Sequence, residues 1–381
     1  MFGYTSLDDI VVPSYIDMAA LSLERTADGL QYSQLVTEFF AALQAFNGEL
    51  LRGEGFIGGI IAAASDFSTD REIRVRQGAI TVGENAEYVD PDPQKRSTEG
   101  WMIGSELFEA SLGWTWQGLA KSRADDVRAD IADMFRAMRD RFRIAFLERL
   151  LVTADVSLAE GAGTGKSVGV CGGGSMTYVP NPYLGKTFDS THSHIGASAT
   201  DTSAQLYTEL VTLRRDLAEH GKRSSTDAPW LLLHSPDDIA IVEGATDGTN
   251  VMYLPFADAT YLPSQLAERA NPAATAQALG AHGTIKGTGF FPVEFPGVPD
   301  NKYICLPVYP SGGGRKPLRR WSAPYYGDFT IPLGVVPGRP GVDTLEKLGI
   351  VRDIGFGVAE REGFAVLQLA DASYDDPTSV S

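Results

Sequence analysis

The chain has 381 residues, enough for one large core or two ordinary ones, and a globular composition of 43% hydrophobic and 21% charged residues. Asp and Glu outnumber Lys and Arg by 49 to 32, a formal net charge of −17; such a surface repels phosphate and excludes sequence-independent gripping of nucleic acid. No repeat of about 20–50 residues marks a solenoid, and 41 glycines and 21 prolines favour a strand-and-loop-rich α+β chain over a helix bundle.

The first sixty-five residues read as an arm. The opening MFGYTSLDDI is acidic and lacks a basic segment followed by an apolar core, so no secretory leader is expected. Leu35, Phe39, Leu43, Phe46 and Leu50 recur at helical spacing over 32–51, with too little apolar material around them for an independent core. The longest apolar run, 56–64, is glycine-broken and too short to span a bilayer.

Residues 66–104 change character. Ile73, Val75, Ile80 and Val82 alternate with polar residues, among them Arg74 and Arg76, and Pro91-Asp92-Pro93 breaks the run. This predicts a two-stranded protrusion, and because two strands alone are marginal in water, another surface must cover it. From Leu119 to about Thr153, Val127, Ile131, Phe135, Met138, Phe142, Phe146 and Leu150 form one helical stripe. Asp125, Asp126, Asp130 and Asp133 precede Arg136, Arg139, Arg141, Arg143 and Arg149, the order the helix dipole favours. The expected helix is roughly 50 Å long, a beam rather than a packing element of a compact domain.

A second amphipathic helix is predicted over 203–220, with Leu206, Leu210, Leu213 and Leu217 on one face and Gly221 ending it. Trp230 to His234 reads as a buried strand, followed by a helix start with Ser235 as cap and Pro236 in first position. The stretch from Gly283 to Pro310 reads as a hairpin-like pair with turns at Gly287 and Pro299-Asp300-Asn301, and Phe364 to Leu369 as a closing strand.

EGAGTGKS, residues 160–167, imitates a phosphate-binding loop, but Glu160 stands where that loop needs glycine. Such a loop also needs a strand before it and a helix after it, so that the helix N-terminus faces the anion; here a helix precedes and SVGVCGGG follows. His192 and His194 could face one metal, yet without a Cys or carboxylate cluster at ligand spacing the expectation is a solvent-facing loop. Asp237-Asp238 is read as helix capping, and Cys171 and Cys305 as two buried reduced thiols. No catalytic, cofactor or metal residue emerges. Arg315, Lys316, Arg319 and Arg320 form a basic cluster with two readings, a contact with nucleic acid and, at least as fitting in a chain of charge −17, a charge-paired subunit interface.

What remains is architecture. An arm, an extended loop from about Asp66 to Gly100, a short segment from Ser105 to Ser111 and a long helix follow one another. Then come the glycine-rich turn Gly161–Gly165 with Val168-Gly169-Val170, a second helix, the strand and Pro-Asp start of Trp230–Ile239, and the glycine-flanked Gly283–Pro307. This order, over nearly the whole chain, resembles the major capsid proteins of tailed bacteriophages with the Hong Kong 97-type capsid fold. The resemblance implies an α+β subunit with an N-terminal arm (1–65), an extended β-hairpin loop (66–104), a peripheral domain with the spine helix (105–222), an axial domain (223–325) and a return to the peripheral domain (326–381). It implies self-assembly through pentamers and hexamers into an icosahedral shell around double-stranded DNA, the loop lying across a neighbour. Expected partners are further copies of the chain, a separate scaffold protein, a portal and a decoration protein, in a virion assembled in the host cytoplasm without membrane or cofactor. The basic residues placed at subunit interfaces are Arg71, Arg74, Arg76, Lys95, Arg96, Arg315, Lys316, Arg319 and Arg320. Lys95 is the sole lysine of the loop, and no crosslinking is expected. An encapsulin-type nanocompartment shell shares the fold and is the alternative; a nucleotide-dependent enzyme using Gly165-Lys166-Ser167 is the alternative of a different class.

Overall fold

Leu35, Phe39, Leu43 and Phe46 of the arm are all buried on one helix. Leu50 falls outside the residues that the structure, a computed structural model, describes: 26–48, 53, 55–68, 70–77, 97–104, 106–157, 166–174, 178–184, 186–225, 228–256, 272–310, 316–322, 331–333 and 345–377. In chain order the elements are α1 (Tyr32–Asn47), α2 (Phe56–Ala64), β1 (Ser65–Ser68), β2 (Glu72–Gln77), β3 (Ser97–Met102), β4 (Glu106–Thr115), α3 (Trp116–Lys121) and α4 (Ala124–Leu151). There follow β5 (Val156–Ser157), β6 (Lys166–Ser167), β7 (Ile195–Ala197), α5 (Ser203–Glu219), β8 (Trp230–His234), α6 (Ile239–Glu243), β9 (Tyr253–Pro255) and α7 (Pro272–Ala278). The chain continues with β10 (Gly283–Ile285), β11 (Phe290–Glu294), β12 (Lys302–Pro307), β13 (Leu318–Ser322), β14 (Ile331–Leu333), β15 (Leu345–Val358) and β16 (Ala365–Gln368). Two units emerge: Met1–Gly58, Ser105–Arg143 and Ser322–Ile354 form one; Gly59–Gly104, Ile144–Trp321 and Gly355–Ser381 form the other.

In the first unit, α1 lies on α4. The rings of Phe39 and Phe46 sit 5.6 and 5.4 Å from Phe135, and Arg128 meets the Glu38 carboxylate with two bonds of 2.8 Å. The long helix is shorter than its apolar stripe suggests. Ser122 ends α3 by donating its N–H to Gly118 and Leu119 carbonyls, and α4 begins at Ala124, whose N–H donates to the Asp28 carboxylate at 3.2 Å. The Asp126 carboxylate accepts from Arg123 N–H at 3.2 Å. Twenty-eight residues remain, roughly 40 Å of helix, and every stripe residue from Val127 to Leu150 is buried. Beside it, β15 pairs antiparallel with β4 over ten residue pairs, Glu106 opposite Ile354 through Thr115 opposite Leu345. β14 also pairs antiparallel with β15.

The second unit is organised by a seven-stranded sheet in the order β7-β16-β12-β8-β11-β10-β9. All five residues of β8, Trp-Leu-Leu-Leu-His, are buried, because the strand is central and covered on both faces, which is why its sequence is a continuous apolar run rather than an alternation. On one face Trp230 and Leu232 share a core with Tyr303, Cys305, Ala365 and Leu367, and α5 lays Leu206, Leu210, Leu213 and Leu217 onto it. Each such buried side chain contributes about 1.5–3 kcal/mol. Thr202 caps α5 through its hydroxyl, which accepts from Gln205 N–H, and Gly221 takes the left-handed φ of 78° that stops it. Cys171 and Cys305 are buried free thiols.

The hairpin-like pair expected over 283–310 is only half formed. β10 and β11 do form a hairpin at Gly287, but β11 and β12 are parted by β8, parallel to the first and antiparallel to the second. The Pro299-Asp300-Asn301 turn is tied instead to the β8 exit: Ser235 Oγ donates to Asp300 at 2.7 Å, and Asn301 N–H donates to Asp238 at 2.8 Å. Asp238 is therefore more than a dipole partner for its helix start; burial pushes its carboxyl up to about 6.

A separate antiparallel ribbon, β2 with β3, runs from Glu72 opposite Met102 to Gln77 opposite Ser97. Its base is buried through Ile73, Trp101 and Ile103. Trp101 Nε1 donates to the Val358 carbonyl at 2.6 Å, and Tyr178 meets the indole edge-on at 6.4 Å. At Gly357 a Cβ would stand 2.8 Å from Ile103, so only glycine lets the ribbon base seat this closely. Residues 78–96, the farther part of the expected loop, lie outside the described residues.

Candidate functional site

Four of the nine basic residues assigned to interfaces meet at the ribbon base. β1 pairs parallel with β13, setting Asp66 opposite Arg319 and Phe67 opposite Arg320. The Arg71 guanidinium lies 5.0 Å over the Trp321 ring and donates to the Ile103 carbonyl at 3.3 Å. Lys316 Nζ donates to the Ala62 carbonyl at 2.7 Å and lies 3.4 Å from the Asp66 carboxylate, and Arg320 is buried. Lys316 is thus held within its own unit and Arg320 is buried, while Arg71 and Arg319 are half-exposed. Arg74 and Arg76 belong to β2 and are described in their backbone alone, and Lys95, Arg96 and Arg315 lie outside the described residues.

Of the GTGKS segment, Lys166 and Ser167 are the described residues. Lys166 and Ser167 are a strand, paired with Ser157 and Val156, and 168–174 form no helix. Arg149, at the end of α4, donates to Ser167 Oγ at 2.9 Å and to the Val152 carbonyl at 2.8 Å. A guanidinium, drawn down to about 10 by burial, thereby occupies the hydroxyl that a nucleotide site would turn to a magnesium ion.

The histidines overturn one expectation. The Thr191–His194 loop is not a solvent-facing loop: His194 is fully buried, and the loop packs its rings against the end of α5. His192 Nε2 lies 3.2 Å from His194 Nε2 and 2.8 Å from His220 Nε2. His194 Nδ1 donates to the Phe364 carbonyl at 3.1 Å, and Phe188 stacks on His220 at 4.3 Å. Burial drives the His194 imidazole down to about 3 and His220 to about 4. The other two histidines form a second cluster. Tyr253 hydroxyl meets His282 Nδ1 at 2.8 Å, His282 Nε2 meets His234 Nε2 at 3.1 Å, and His234 Nδ1 donates to the Ser235 carbonyl at 2.8 Å. All five histidines of the chain therefore sit in clusters. The His-x-His spacing was visible in the sequence; its third member, 26 positions beyond His194, was not marked by any motif.

No protein-family model matches the chain, and no curated protein does. Among solved structures, that of "Mycobacterium phage Patience" matches with a TM-score of 0.61 at 18% identity, covering 93% of this chain and 92% of that one. "Asymmetric unit of bacteriophage PhiM1 mature capsid" matches with a TM-score of 0.47 at 12% identity over 82% and 87%. "Crystal structure of virus-like particle from Pyrococcus furiosus" matches with 0.41 at 11% identity over 87% and 100%. The likeness is one of fold, and it spans nearly the whole chain in the first case. With its ribbon, its 28-residue helix and its seven-stranded sheet following in the expected order, the chain has the Hong Kong 97-type capsid fold.

Proposed function

We propose that the chain is the major capsid protein of a tailed bacteriophage, assembling through pentamers and hexamers into an icosahedral shell around double-stranded DNA. The observation that carries this reading is the fold likeness to the phage Patience structure over 93% of the chain. Two physical features agree with it. The ribbon is buried at its base by Ile73, Trp101 and Ile103, while a two-stranded ribbon needs a further surface to cover it; a neighbouring subunit supplies one. A net charge of −17 suits a wall that encloses DNA without gripping it.

In this reading the unit around the seven-stranded sheet includes the axial domain, the spine helix supports the peripheral one, and the loop lies across the adjacent subunit. Arg71, Arg74, Arg76, Lys95 and Arg96 of the loop, with Arg315 and Arg319, meet acidic surface on neighbours whose net charge is equally negative. A separate scaffold protein, a portal and a decoration protein complete the virion.

The test is assembly. Purified chain, alone and co-expressed with a candidate scaffold protein, is taken through sedimentation velocity and negative-stain microscopy. Megadalton particles of uniform diameter are expected; a monomer at high concentration in both preparations would refute the proposal. The contents of the particles separate the two shell readings, since DNA marks a capsid and a folded protein cargo marks a nanocompartment.

A further inference from the structure

We propose that His192, His194 and His220 form a binding site for a divalent transition-metal ion of the zinc class. The three ligand nitrogens lie within 4.8 Å of one another, with two of the three separations at 3.2 and 2.8 Å. Metal–imidazole bonds of about 2.0–2.1 Å in tetrahedral geometry place ligand nitrogens about 3.3 Å apart, so small ring movements close the triangle around an ion.

The proton count argues for the ion. Since His194 Nδ1–H donates to the Phe364 carbonyl, neutral His194 offers a lone pair at Nε2. If His192 carries its proton on Nε2, it can give a full hydrogen bond to His194 or to His220, not to both. If His220 carries the proton and donates to His192, two lone pairs face each other across the 3.2 Å contact. No set of neutral tautomers satisfies both contacts. The His234–His282 cluster shows what satisfaction looks like: Tyr253 O–H, which also lies 3.2 Å from the His282 carbonyl, donates to His282 Nδ1, His282 Nε2–H to His234 Nε2, and His234 Nδ1–H to the Ser235 carbonyl, so every ring nitrogen is paired. The three-histidine cluster has a lone pair too many, on His194 or on His220, and a cation is what such a surplus binds.

The surroundings hold the ligands in place, as the outer partners of metal sites do. The backbone bond from His194 N–H to the Cys171 carbonyl, 2.9 Å, and the Asp189 carboxylate accepting from Thr191 N–H and Oγ1 at 2.9 and 2.6 Å fix the loop. Gly172, at φ 90°, gives Ser193 room that any Cβ would take, at 2.2 Å from its hydroxyl. Asp216 and Glu219 of α5 lie near enough to interact electrostatically with these imidazoles and supply negative charge, against Lys186 and Lys222 nearby. With three imidazoles and no thiolate, the set suits Zn²⁺, Co²⁺, Ni²⁺ or Cu²⁺, and half-buried His192 and His220 give the ion its way in. A bound ion fastens the loop to the end of α5.

The test uses untagged full-length chain, stripped with chelator and dialysed, titrated with ZnCl₂ by calorimetry and with Co²⁺ by visible absorption. One ion per chain is expected, with a tetrahedral Co²⁺ spectrum and a higher melting temperature in zinc. His192→Ala and His220→Ala, both at half-buried positions, are expected to weaken binding more than about a hundredfold, whereas His282→Ala in the other cluster leaves it unchanged. No binding and no melting shift in the unaltered chain would overturn the proposal even if every variant misfolded. So would undiminished binding by folded His192→Ala.

Discussion

The seven-stranded sheet and the β2–β3 ribbon answer the same problem in opposite ways. β8 is flanked by hydrogen-bonded strands on both sides and buried at every residue, so the sheet seals its apolar surface with its own chain. The ribbon has two strands, and the buried side chains among its described residues, Ile73 and Trp101 with the adjoining Ile103, sit at its root. The difference teaches where each part draws its stability. The sheet should stand in an isolated subunit, while the ribbon's outer part should gain a covering partner only in the assembly.

Three experiments can break or sharpen that contrast. The largest effect is expected from replacing residues 78–96 by Asn-Gly, a two-residue turn suited to closing a ribbon between Gln77 and Ser97, which already face each other. Particle yield should vanish in sedimentation while the isolated subunit unfolds at the same denaturant concentration as the parent; normal particles would sink the covering role of the loop. Leu232→Ala should do the reverse. Leu232 is fully buried in the central strand, and its truncation should cost about 2–5 kcal/mol of subunit stability, read as a lower denaturant midpoint.

The smallest effect is the acid response. Burial holds His194, His220 and His234 at about 3, 4 and 4, far below the ordinary 6.5. Between pH 6.5 and about 4 the unfolded chain takes up protons that the folded chain refuses, so stability is complete above 6.5 and falls with decreasing pH. Each histidine alone would account for at most about 1.4 kcal/mol per pH unit. Asp238, raised to about 6, acts in the opposite sense: the folded chain protonates it first, which offsets one histidine from pH 6 down towards its ordinary 3.8. A net loss of at most about 3 kcal/mol per unit is expected from denaturant titrations of the metal-free chain. The ribbon contains no histidine, so the chain shortened at 78–96 should show the same slope; a different slope would mean that the two regions are energetically joined.

The sequence made legible what is local and periodic. The stripe Val127 to Leu150 is buried throughout, Leu206 to Leu217 cover the sheet, and the apolar run of β8 is the central strand, because side-chain period reports burial directly. What escaped depends on distant partners. The true start of α4 is set by Asp28, 96 residues upstream, while the apolar spacing runs on through Leu119 without a mark. β8 slips between β11 and β12 from more than fifty residues earlier in the chain, so the neighbours in sequence are not neighbours in the sheet. The three-histidine cluster depends on a helix end and on the Phe364 carbonyl, which no spacing rule connects to Thr-His-Ser-His.

The bond from the Trp101 indole to the Val358 carbonyl makes the ribbon a lever with a fixed pivot. Val358 ends β15, and the chain turns at once, with Ala359 and Glu360 N–H groups both donating to the Pro317 carbonyl at 2.7 and 3.1 Å, before entering β16 beside β12. A pull on the ribbon would therefore act as a torque about one indole, delivered through a braced corner to β16, the second strand of the sheet. A shell built from such subunits would carry tension from molecule to molecule through this corner and the sheet behind it.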